Sequence, residues 1–113
     1  MDLKKLYGDC AVLCQKEPPL YAFFVHLDMG VRTLLSRYPK KLLFSDGEYA
    51  PPAALSDELG LREEFYLPLL CFIASKSGGD AALEKEFSES AEATYLGLWR
   101  AHARGRRRKG DVW

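Results

Sequence analysis

The chain has 113 residues, 48% of them hydrophobic, with six Phe, six Tyr and two Trp. That is the length of one domain, with enough apolar material for a core. Net charge is zero but unevenly spread: residues 1–99 hold ten Lys/Arg against fifteen Asp/Glu, and residues 100–113 hold six against one, an acidic body of −5 with a basic end of +5.

The longest apolar run, residues 67–74, is far short of the ~20 residues of a membrane span. The opening MDLKKLYGDC has no apolar signal-peptide core. No membrane association is expected, and the protein is expected to be intracellular at synthesis.

In chain order, Leu3, Leu6, Tyr7, Cys10, Leu13 and Cys14 recur at steps of three and four, which predicts a helix over 3–16 that ends before Pro18–Pro19. A second helix is expected over 19–37. Leu20, Phe24, Leu27, Val31, Leu34 and Leu35 form its stripe, widened by Tyr21, Phe23 and Val25. A face that broad implies contacts on two sides, in the core or with another subunit. Asp46–Gly47, flanked by apolar residues, predicts a small β-hairpin near 42–50. Pro51–Pro52 then reads as an extended linker.

A third helix is expected over 61–77, buried through Phe65, Leu69, Phe72 and Ile73, with Pro68 kinking it or marking its true start. Asp80 is a suitable N-cap for a fourth, over 80–104, where Leu83, Phe87, Ala91, Tyr95 and Trp99 follow at steps of four. Glutamates load its beginning and Arg100, His102 and Arg104 its end, as the helix dipole favours. Gly105 is expected to break it. The fold class is therefore all-α, about four helices plus one hairpin, with a domain at 1–104 and a basic flexible tail at 105–113. Leu27, Leu34, Phe72, Phe87 and Tyr95 lead the expected core.

Catalytic constellations are missing. His26 and Asp28 stand two apart, on different faces of a helix. Gly78–Gly79 lacks the following GK[ST] of a phosphate loop. Cys10 and Cys14 share a helix face, but only His26 and His102 could complete a metal site, and the spacing is not CxxC. With Cys71 they read as reduced, buried thiols. No enzyme activity, cofactor, metal or disulfide is expected.

The order of parts suggests more. A helix ending at Tyr38–Pro39 precedes a short ribbon around a glycine and a Pro-containing linker. EEFYLPLLCFIAS, GGDAALEKEF and a long last helix follow. Over roughly residues 20–100 this resembles the small helical connector, or head–tail adaptor, proteins of tailed bacteriophages and prophages. The Gly79–Asp80 and Glu86–Phe87 steps match that family's pattern. Ser90–Ala91 stands where a Tyr is often found, and Asp28 where an Asn is. The resemblance implies a structural subunit that self-associates in a ring around the DNA channel, between portal and tail proteins, first in the host cytoplasm and then in the virion. No cofactor and no catalysis go with it.

The basic end, RAHARGRRRKG, is the candidate partner-binding segment, through Arg104, Arg106, Arg107, Arg108 and Lys109. Docking on an acidic neighbour is one reading, a solvated tail a second, and weak, sequence-blind DNA contact a third. The competing functions are a nucleic-acid-binding regulator and a small protein adaptor using the wide face of residues 20–35. A regulator usually carries its basic stripe within the folded part, which here is acidic.

Overall fold

The computed structural model describes residues 1–45 and 47–108, with backbone alone at 102 and 104–108. It is helical: α1 (Leu3–Cys14), α2 (Leu20–Arg37), a single turn α3 (Lys40–Leu43), a 3-10 turn (Glu63–Phe65), α4 (Tyr66–Lys76) and α5 (Ala82–Arg108). No helix among the described residues is long and apolar enough to cross a membrane.

Local chemistry sets the ends. Asp2 caps α1, its Oδ1 accepting from the N–H groups of Lys4 and Lys5 at 3.0 and 3.2 Å. Gln15, at φ 57°, turns left-handed and closes α1 ahead of Pro18. Pro19 is the N-cap residue of α2. Pro68 is the third residue of α4, where its missing N–H would be unpaired anyway, so the helix starts there and needs no kink. Asp80 Oδ1 accepts from the Ala82 N–H at 2.9 Å, opening α5 as its sequence implies.

α4 is the centre. α1, α2 and α5 all pack on it, and it is buried continuously from Pro68 to Ala74. α2, by contrast, buries one face through Phe23, Leu27, Gly30, Val31 and Leu34 and leaves another bare. Of the expected core leaders, Leu27, Leu34, Phe72 and Phe87 are buried. Tyr95 is half-buried and stacks on Tyr38, ring centroids 4.8 Å apart. The Tyr38 hydroxyl donates to Glu92, tying the end of α2 to α5.

Two expectations need correction. The hairpin at 42–50 is not formed: among the described residues there is no strand, and Asp46 lies outside them. Pro39 starts the α3 turn, and Phe44 then makes an isolated antiparallel bridge to Leu61, where the Arg62 N–H donates to the Leu43 carbonyl at 2.9 Å. Phe44 is thus paired with Leu61, and past Gly47 Tyr49 is drawn to Asp28 of α2, so the two arms of the expected hairpin have other partners. Gly105 does not break α5, whose backbone stays helical to Arg108. A lone glycine costs a helix about 1 kcal/mol relative to alanine, which flanking arginines, good helix formers, can offset. The residue 104/105 boundary is therefore not a helix end.

Candidate functional site

α5 is longer than the body it packs on. Its 27 residues span about 40 Å against about 16 Å for the 11 of α4, at 1.5 Å per residue. The whole molecule is 54 Å in its longest direction. Phe87 and Ala91 are buried and Leu83, Tyr95 and Leu98 half-buried against the core; from Leu96 on, the other face of α5 is uncovered. Leu96 and Trp99 are 36% and 53% exposed there, and Arg100 and Ala101 are exposed. Trp99 continues the steps of four that run from Leu83 through Phe87, Ala91 and Tyr95. It is about half exposed, at the root of the basic end.

Of the predicted partner-binding residues, Arg104, Arg106, Arg107 and Arg108 continue α5, and their side chains, like all of Lys109, lie outside the described residues.

The second element of the surface is the bare side of α2. Leu20, Tyr21, Val25 and Met29 are exposed, Tyr21 at 77%. Beside its first turn lies an open apolar groove of about 630 Å³, lined by Lys4, Leu20, Tyr21, Phe24 and residues 53–56. Residues 53–56, just past the Pro51–Pro52 linker, form a built wall. Asp57 Oδ2 accepts from the Ala53 and Ala54 N–H groups at 2.8 and 3.0 Å, holding that turn. Upstream, Tyr49 anchors the same loop to α2: its hydroxyl donates to Asp28 Oδ1 at 2.6 Å, while Arg32 Nε donates to Asp28 Oδ2 at 2.9 Å.

These contacts predict a titration. The Tyr49 hydrogen bond and, after it, Arg32 hold the Asp28 carboxyl below the usual carboxylate range. A depressed folded pKa contributes stability above the ordinary carboxylate value, and that stability is lost as pH falls through the folded pKa. In Tyr49→Phe the Asp28 midpoint, followed by NMR, is expected to rise and part of that acid-sensitive stability to disappear. An unchanged midpoint would mean that the hydroxyl does not hold the carboxylate.

Next to the groove, and sharing Lys4, Leu55 and Ser56 with it, is a more polar hollow of about 530 Å³. It carries Asp2, Asp57, Glu58 and Glu63. The Met1 ammonium donates to Glu58 Oε1 and the Leu59 carbonyl, both at 2.9 Å, and lies 3.3 Å from Glu63 Oε1. Four carboxylates against that ammonium and Lys4 leave the hollow at −2. An apolar groove with an acidic flank thus faces solvent at the start of α2. Of the broad apolar face expected on this helix, Leu20, Tyr21 and Val25 are exposed and Phe23 is buried; neither Met29 nor the groove was part of that expectation.

The groups with reactive chemistry lie elsewhere and are dispersed. His26 Nδ1 is 3.4 Å from Ser77 Oγ, and burial, with Lys76 nearby, lowers its pKa. It does not meet Asp28, which is engaged with Tyr49 and Arg32. Cys10 and Cys14 sit one turn apart on α1. The Cys14 thiol donates to the Ala74 carbonyl at 3.5 Å, and burial pushes the Cys10 thiol up to about 12. No group of three His, Cys, Asp or Glu among the described residues is placed to hold a metal ion. Cys10 and Cys71 are buried and Cys14 is half-buried. Mild alkylation of the native protein, read by mass spectrometry, is therefore expected to modify Cys14 first. The other two should react only on unfolding, and rapid triple labelling of the folded protein would contradict this packing.

Compared with protein-family models, curated proteins and solved structures, the chain matches none.

Proposed function

We propose that this protein is a non-enzymatic structural subunit of a phage or prophage head–tail connector, which self-associates as a ring around the DNA channel and contacts portal and tail proteins. The observation that carries the reading is the end of α5: a helix that leaves its own body with Trp99 exposed and five arginines in residues 100–108, beside an acidic body. A helix that, among the described residues, runs on with Leu96, Trp99 and Arg100 uncovered suits an assembly subunit better than a solitary enzyme. The order of helices that resembles the connector proteins supports the same reading. An acidic body also fits a channel that must let DNA slide, because like charges repel the phosphate backbone.

Deleting residues 105–113 tests it. The folded domain is expected to keep its stability while self-association, or binding to portal and tail proteins, weakens most visibly at low salt. If the truncated protein assembles like the full chain and loses only DNA affinity, the basic end is a phosphate binder and this reading of it is wrong. Genes for terminase and portal on one side and tail proteins on the other are the expected neighbourhood.

A further inference from the structure

The exposed end of α5 and the groove at the start of α2 are complementary in order as well as in kind. Along α5, the exposed apolar residues Leu96 and Trp99 come first and the arginines, from Arg100 on, come next. On the body, the apolar groove of Leu20, Tyr21, Phe24 and residues 53–56 runs into the hollow of Asp2, Asp57, Glu58 and Glu63. A helix laid across that surface would seat its apolar part first and bring its cations over the carboxylates.

Its own body is out of reach. α5 is one continuous helix from Ala82 to Arg108 and passes the body beside Tyr38, which follows the last residue of α2, whereas the groove lies at the first turn of α2. A rigid helix directed away from its body cannot turn back into a groove on it.

We propose that the end of α5, led by Leu96, Trp99 and Arg100, docks in the groove of Leu20, Tyr21, Phe24, Ala53, Ala54 and Leu55 on a second copy of this chain. The contact joins two different surfaces, so each molecule keeps one arm and one groove free for the next. Such head-to-tail contacts close into rings when the rotation permits and otherwise run on as filaments. The inference deepens the connector reading and rests on it for the premise that copies assemble. A large aromatic entering an apolar groove, with charged neighbours at the rim, is the usual arrangement of an interface anchor.

The test uses the full chain and two single variants, Trp99→Ala, which lacks the anchor, and Tyr21→Glu, which spoils the groove. Both residues are exposed, so circular dichroism and unfolding midpoints are expected to match the unaltered protein. In sedimentation equilibrium each variant alone is expected to self-associate at least about ten-fold more weakly. Mixing them is the decisive arm: Trp99→Ala still offers a groove and Tyr21→Glu an arm, so an equimolar mixture should form a heterodimer and nothing larger.

In a Trp113→Phe background Trp99 is the one remaining tryptophan. Its emission should shift to shorter wavelength as the protein associates. Wild-type association with both variants unimpaired would overturn the contact and leave the connector reading standing. A full chain that never self-associates would overturn it too, while co-assembly with portal protein would still decide the connector reading separately. A Trp99→Ala protein that assembles normally but loses DNA affinity would assign the arm to nucleic acid and overturn the proposal.

Discussion

Replacing Phe87 by alanine is expected to cost about 3–5 kcal/mol, the loss typical of a large aromatic cut from a packed core. Phe87 is 2% exposed and is the point at which three helices meet. Its ring meets that of Phe72 of α4 edge to face, centroids 5.0 Å apart, and the Arg37 guanidinium at the end of α2 lies 5.3 Å above it. The substitution removes buried area, the aromatic pair and the cation's platform together, and α5 has few other fully buried residues to compensate. Chemical unfolding measures the cost. A loss below about 1 kcal/mol would show that the site collapses around the gap and that α5 is held by something else.

Gly30→Val is expected to cost about 1–3 kcal/mol or more, through overpacking. A Cβ at Gly30 would lie 2.8 Å from Leu69 Cδ1 and 3.0 Å from Phe72 Cδ1, and Leu69 is fully buried with nowhere to swing. The glycine is what lets α2 approach α4 so closely. Gly8→Ala is the internal control. It sits within α1 with nothing inside 4 Å of the added carbon, so it should stabilise by about 0.5–1 kcal/mol. Equal unfolding midpoints for the two variants would refute the close α2–α4 contact.

The helices were legible because their apolar spacing was. Leu3, Leu6 and Cys10 of α1, and Leu27, Val31 and Leu34 of α2, recur at helical steps and are all buried. Asp80 and Pro68 announced the starts of α5 and α4 for reasons local to the backbone. Where the reading failed, the deciding contact was not local. Asp46–Gly47 is a good turn signal, but a hairpin needs a second strand, and Phe44 pairs instead with Leu61, seventeen positions on.

Periodicity placed Trp99 in line with Phe87 and Ala91 but carried no information on where the partner helix stops. α4 is too short to cover it, so the same stripe passes from core to surface. The groove was invisible for a related reason. Lys4, Phe24 and Leu55 are distant in sequence, and its wall at residues 53–56 is held by Asp57 and, through the same loop, by Tyr49. Alternation and capping do not report contacts of that kind. Gly105 illustrates how weak a single propensity is against its neighbours.

The assembly role proposed for this chain is most directly addressed by sedimentation velocity of the full chain. The measurement runs from dilute solution to the highest soluble concentration, at low and high salt, alone and with portal protein. A mean mass that rises with concentration, or a complex completed when portal is present, is expected. The rise should be steeper at low salt, where the charge split between body and arm is least screened. A strict monomer under every condition, with no complex with portal or tail proteins, would contradict it.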